Sequence, residues 1–108
     1  MITDFKDQHA FLDNTFVLKE RVYIGTKSFG SVAEAYHEYA QRTTDTNMLI
    51  EAMRKLVFQK FAFDLNLRKL LVDTGTEEIK CETQYLGNIL TETRELLKKS
   101  EHRHYTLS

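Results

Sequence analysis

Tryptophan and proline are absent from this chain, cysteine occurs once and glycine four times in 108 residues. With Cys81 alone, no intrachain disulfide can form, and the plain expectation is a reducing, cytoplasmic setting. No run approaches the roughly twenty apolar residues of a membrane span, so no membrane partner is expected. The opening segment carries Asp4 and Asp7 where a secretory signal has its apolar core, and no signal peptide is expected. An excess of one charge is missing too, the net charge being −1. Without a basic face to displace counterions the chain does not read as a general nucleic-acid binder, although a local basic patch is compatible with that balance. There is no phosphate-binding loop, no dinucleotide glycine fingerprint and no Ser/His/Asp motif. The absence of proline has no functional consequence.

What remains is a composition of 42% hydrophobic and 29% charged residues, that of an ordinary soluble globular protein. The length fits one domain over residues 1–108, able to build a modest core without staples. The expected class is α+β: a small N-terminal β-hairpin region followed by about four helices. Val22 to Phe29 reads as a tight hairpin, with Gly25 supplying the positive φ of its turn. Phe16-Val17-Leu18 is a candidate earlier strand or an extension of the first arm. From Ser31 the period changes. Val32, Ala35, Tyr36, Tyr39 and Ala40 share one helical stripe, and Ser31 with Glu34 forms a capping-box pattern.

A polar break over residues 42–47 separates this helix from a second, which carries Leu49, Ile50, Met53, Leu56, Val57 and Phe61. Asp64 reads as the cap of a short third helix burying Leu67, Leu70 and Leu71, with Gly75 at its left-handed stop. A last helix is expected from Gln84 to Lys99, with Leu86, Ile89, Leu90, Thr93 and Leu97 on one face. The tail over residues 100–108 is expected to fray.

Five segments stand in a telling order: Phe11-Leu12-Asp13-Asn14, residues 24–32, Ala35-Tyr36, residues 67–75 and residues 86–94. That order resembles the NADAR family of NAD- and ADP-ribose-linked N-glycosidases. Phe11-Leu12-Asp13-Asn14 is similar to that family's Phe-Leu-Ser-Asn opening. Residues 24–32 look like its hairpin-to-helix junction, and Ala35-Tyr36 matches the Ala-Tyr pair that follows. Residues 67–75 resemble its Leu-Arg-x-Leu-Leu-x-Thr-Gly segment, and residues 86–94 its closing helix. The likeness covers about residues 10–97. It implies a cleft for ADP-ribose-like or related ribosyl nucleotides and cleavage of an N-glycosidic bond, with no additional cofactor.

Cleaving a ribosyl C–N bond develops oxocarbenium character, which a carboxylate stabilises or helps by activating water. Where the family's first helix carries a glutamate and a lysine, this chain has Ala33 and Ala40. Glu34 is displaced by one residue, about 100° around the helix, and reads first as the acceptor arm of the capping box. The family's tryptophan-containing segment and Gly-rich loop are replaced by the short connection over residues 76–84, in which Glu82 is a weak catalytic candidate. Glu38 is a further carboxylate on the first helix. Asn14, Asn88 and Arg94 keep the family-like types and are the candidate ligand-binding residues. The plainer alternatives are a turn-forming role for Asn14 and an ion pair with Glu95 or Glu101 for Arg94. Gly87 inside a helix calls for close packing or close approach of a ligand. The tail histidines, His102 and His104, lack partners at metal-ligand spacing, and no metal site is expected.

Three readings follow from the resemblance. The first is a catalytically degenerate NADAR-like protein that binds an ADP-ribose-type nucleotide, for example a viral sequestering protein in the host cytoplasm. The second is a divergent N-glycosidase using Glu34, Glu38 or Glu82. The third is an interaction module, with a protein partner or a second copy of itself, that kept only the scaffold; the aromatic excess of Phe58, Phe61 and Phe63 suits it.

Overall fold

The computed structural model describes residues 1–81 and 84–107, with side chains through Lys99 except that of Gln84. A 3-10 helix over Asp7–Leu12 leads into an irregular stretch and then a two-stranded antiparallel hairpin, β1 (Val22–Ile24) and β2 (Lys27–Phe29). Four α-helices follow: α1 (Val32–Ala40), α2 (Thr46–Phe63), α3 (Leu65–Asp73) and α4 (Gln84–Leu107). The α+β order read from the sequence is the order observed.

Local chemistry explains each start and stop. Gly25 (φ 62°) opens the two-residue turn that pairs Ile24 with Lys27. At the start of α1 the Ser31 hydroxyl accepts from the Glu34 N–H at 3.2 Å. Asp45 and Asp64 cap α2 and α3 through bonds from the N–H groups of Met48, Asn66 and Leu67. Gly75 (φ 67°) ends α3 in the left-handed region.

The core lies where α2 meets α1, α3 and α4. Val57 and Phe61 of α2 pack there with Val32, Leu71, Leu90 and Leu97, and Phe61 meets Phe11 of the 3-10 helix edge-on at 6.3 Å between centroids. The chain start closes the far side. Ile2 pairs with Ile79 in a single parallel bridge, its N–H donating to Glu78 O at 2.7 Å and its carbonyl accepting from Lys80 at 2.8 Å. Gly87 of α4 lies against that bridge. A Cβ there would sit 2.7 Å from Ile79 O, so close backbone packing is what requires the glycine.

Three expectations are corrected. Residues 16–18 form no strand: Val17 is 80% exposed, and Leu18 makes one backbone bond, to Gly30 O, at the edge of the hairpin exit. Leu70 is exposed rather than buried, because α3 rests on α2 through a narrow stripe that Leu67 and Leu71 already fill. The end of α4 is Leu107, not Lys99, so the segment expected to fray continues the helix.

Candidate functional site

Residues 13–18 form a short strap after the 3-10 helix, a turn closed by Phe16 N–H to Asp13 O at 3.1 Å followed by an irregular run to Leu18. Its ends are fixed by the chain around it: Ala33 N–H donates to Asn14 O at 2.9 Å, and Leu18 N–H to Gly30 O at 2.8 Å. Asn14 and Ala33, a candidate ligand residue and a position where the resemblance implies a carboxylate, are therefore neighbours through the backbone. The space at Asn14 is filled from α2. Its Nδ2 donates to Met53 Sδ at 3.3 Å, and its Oδ1 is buried with no hydrogen-bond partner.

Beneath the strap lies a lysine that sequence reading passed over. Lys60 is 1% exposed; its Nζ donates to Asp13 O at 2.8 Å and stands 5.0 and 5.8 Å from the ring centroids of Phe61 and Phe16. Burial pushes its pKa down from 10.5 to about 7, and the Asp13 carboxylate opposes that only in part. Asp13 is itself held below the usual carboxylate range, first by the Thr15 N–H, then by the Thr15 hydroxyl, with Lys60 a smaller influence. A signal for Lys60 was present. Met53, Leu56, Val57 and Lys60 follow the i, i+3, i+4, i+7 spacing of one buried stripe.

The other family-like residues lie elsewhere. Arg94 is 3% exposed on α4 and donates through Nη1 to Thr74 Oγ1 and to Glu77 O, both at 2.8 Å. Lys98 adds a bond to Gly75 O at 2.7 Å, so the two cations tie the turn after α3 onto α4. Neither an ion pair with Glu95 nor an exposed anion site describes Arg94. Asn88 is exposed on the same helix. No hydrogen bond among the described residues joins Asn14, Asn88 and Arg94.

The candidate carboxylates are engaged in local structure. Glu34 Oε2 accepts from Gly30 N–H at 3.3 Å, one residue before the cap. Glu38 pairs with Lys27 at 3.5 Å and Arg42 at 3.6 Å. Glu82 lies outside the described residues. Among the described residues no group of three or more His, Cys, Asp or Glu side chains could hold a metal ion, and no helix is long and apolar enough to cross a membrane.

An open groove of about 440 Å³ lies between α2, α1 and the hairpin. Tyr23 and Tyr39 form walls, Leu56 and Ala52 the floor, and Lys55 the rim. Gln59 closes one end by bonding the outer edge of β1 as a third strand would. Its Oε1 accepts from Tyr23 N–H at 2.7 Å and its Nε2 donates to Tyr23 O at 3.0 Å. Glu51, also at the groove, is held by Arg54 at 3.0 Å, and Arg54 reaches Glu92 of α4 at 3.1 Å. Lys55 has no ion-pair partner among the described residues. Tyr39 and Leu56 entered the sequence reading only as stripe positions, and Lys55 and Gln59 not at all, because an exposed polar side chain carries no periodic signal.

No protein family, no curated protein and no solved structure matches the chain. The NADAR likeness therefore rests on the five sequence segments, and the class defined by the fold is a small α+β domain.

Proposed function

We propose that this chain binds an ADP-ribose-type or related nucleotide in the Tyr23–Tyr39 groove without turning it over. The observation that carries this reading is the combination of an apolar floor, two tyrosine rings and the unpaired Lys55 ammonium in one groove of about 440 Å³. That volume lies in the range of small-molecule sites, and the mixture suits a ligand with a flat aromatic part and an anionic part. Absence of turnover is supported by the carboxylates. Glu51 is neutralised by Arg54, Glu34 is held at the α1 cap, and Glu38 is shared by two cations. Isothermal titration with ADP-ribose, NAD and AMP tests the reading. Heat that disappears in Lys55→Glu and Tyr39→Ala supports it; no heat with any of the three, or binding that survives both substitutions, refutes it.

A second reading, a protein-interaction module, is favoured by one feature. Beside the first groove, sharing Glu51, Lys55 and Gln59 with it, Phe58 and Leu96 border a mostly apolar groove of about 410 Å³ between α2 and α4. Concentration-dependent sedimentation of the purified chain, lost in Phe58→Glu, would favour it over ligand binding.

A further inference from the structure

Lys60 holds the strap from below in an arrangement that the ligand-binding reading does not use. Along residues 13–18 the hydrogen bonds to α2 are the Lys60 Nζ–Asp13 O bond and the weak Asn14–Met53 sulfur contact, beside the packing of Phe16 and Leu18 on the core. Of the four backbone bonds along these residues, two stay local, Asp13 N–H to Ala10 O and Phe16 N–H to Asp13 O, and two run to the hairpin exit and to the start of α1. A neutral amine satisfies the Asp13 carbonyl and is tolerated in an apolar site. An ammonium there has one hydrogen-bond acceptor and two ring faces where water would supply full solvation, and burial of that charge outweighs what the rings return.

The charged groups around it do little to reverse this. Asp13 is the charged group whose field acts on Lys60, and its carboxylate is turned onto its own turn by Thr15 N–H at 2.8 Å and the Thr15 hydroxyl at 2.7 Å. From α2 itself, Asp64 one turn on is committed to the α3 cap. The closed strap also leaves Asn14 Oδ1 buried without a partner, a cost that opening relieves.

We propose that Lys60 is a proton-operated latch: the strap over residues 13–18 is docked on α2 while this amine is neutral and is released when it takes up a proton. The consequence reaches both neighbours of the strap, because Asn14 O receives the Ala33 N–H at the start of α1 and Leu18 binds the hairpin exit. A modest fall in pH therefore loosens one side of α2.

Two measurements on the full chain test the latch. The first is an NMR titration of the Lys60 Cε and Nζ signals, expected to show a midpoint near neutrality; a midpoint at the ordinary lysine value of 10.5 overturns the proposal. The second is amide hydrogen exchange at Leu18 and Ala33, corrected for intrinsic rates. Between pH 8.5 and pH 6 the protection of both should fall by about thirty-fold, the change that one proton with a midpoint near 7 produces over that interval. The fall should vanish in Lys60→Met and persist in Lys55→Met. A response equal in all three proteins, or none in the parent chain, contradicts it. If Lys60→Met does not fold, the titration of the parent chain decides alone.

Discussion

Lys55 and Lys60 stand on the same helix, about 140° apart around its axis, and their surroundings have opposite character. Lys55 rims an open groove, carries no counter-charge among the described residues, and has water to solvate it. Lys60 is sealed beneath a strap, gives one hydrogen bond to a main-chain carbonyl, and loses much of its basicity to burial. The difference teaches that residue type says little about what a lysine can do here. On the groove side the ammonium is available to an anionic ligand. On the strap side the amine is a structural donor whose charge the fold resists.

The largest expected effect comes from removing the closed side's donor. Lys60→Ala leaves a cavity beside an Asp13 carbonyl that keeps only its bond from Phe16 N–H, and should destabilise the chain by about 2–4 kcal/mol in denaturant unfolding. Lys60→Met keeps the stem and should be close to neutral at pH 8.5 and stabilising at pH 6. If both substitutions behave alike, the packing of the lysine stem is not what the site depends on.

Next comes the pH dependence itself. The folded pKa of Lys60, about 7, lies below its unfolded value of 10.5. Between those values the unfolded chain binds the extra proton, so stability rises with pH across that window. The penalty is complete below pH 7. From pH 6 to pH 8.5 the gain should be about 2 kcal/mol in chemical denaturation, and should be absent in Lys60→Met. A flat profile in the parent chain would erase the contrast between the two lysines.

Much of the scaffold was legible because its signals are local. Ser31, Asp45 and Asp64 cap helices that begin where capping chemistry places them, and Gly25 and Gly75 sit at positive φ. The candidate site was far less legible. Arg94 kept the family-like type, yet its partners Thr74 and Glu77 arrive through the turn after α3, a tertiary event with no sequence period. Gln59 reads as an ordinary exposed helix residue until β1 is placed beside it. Lys60 was readable in principle, since its position completes the buried stripe of α2, but a charged residue on an apolar stripe is easily assigned to the neighbouring face. The expected strand at residues 16–18 failed for the converse reason: β-branched and aromatic residues suit a strand only when an edge is available; Gln59 occupies the outer edge of β1, Arg21 reaches Ser28 O of β2, and Leu18 makes a single bond past its end, to Gly30 O.

A smaller effect sharpens the groove side. Gln59→Ala leaves the Tyr23 N–H and carbonyl without their side-chain partner, partly open to water, and should lower stability by about 1 kcal/mol with little change in the pH profile. Smallest of all, Lys55→Glu should change stability by less than about 0.5 kcal/mol, since it breaks no described contact, while abolishing ligand binding. Loss of stability comparable to that of Lys60→Ala would mean that Lys55 is structural too.

The central claim is that the open side of α2 receives a ligand and the strap side does not. Chemical-shift mapping of the isotopically labelled chain during titration with ADP-ribose tests it most directly. The account expects perturbations at Tyr23, Tyr39 and Lys55, with Asn14, Lys60, Asn88 and Arg94 unmoved. Perturbations centred on Asn14 and Lys60, or none anywhere at millimolar ligand, would contradict it.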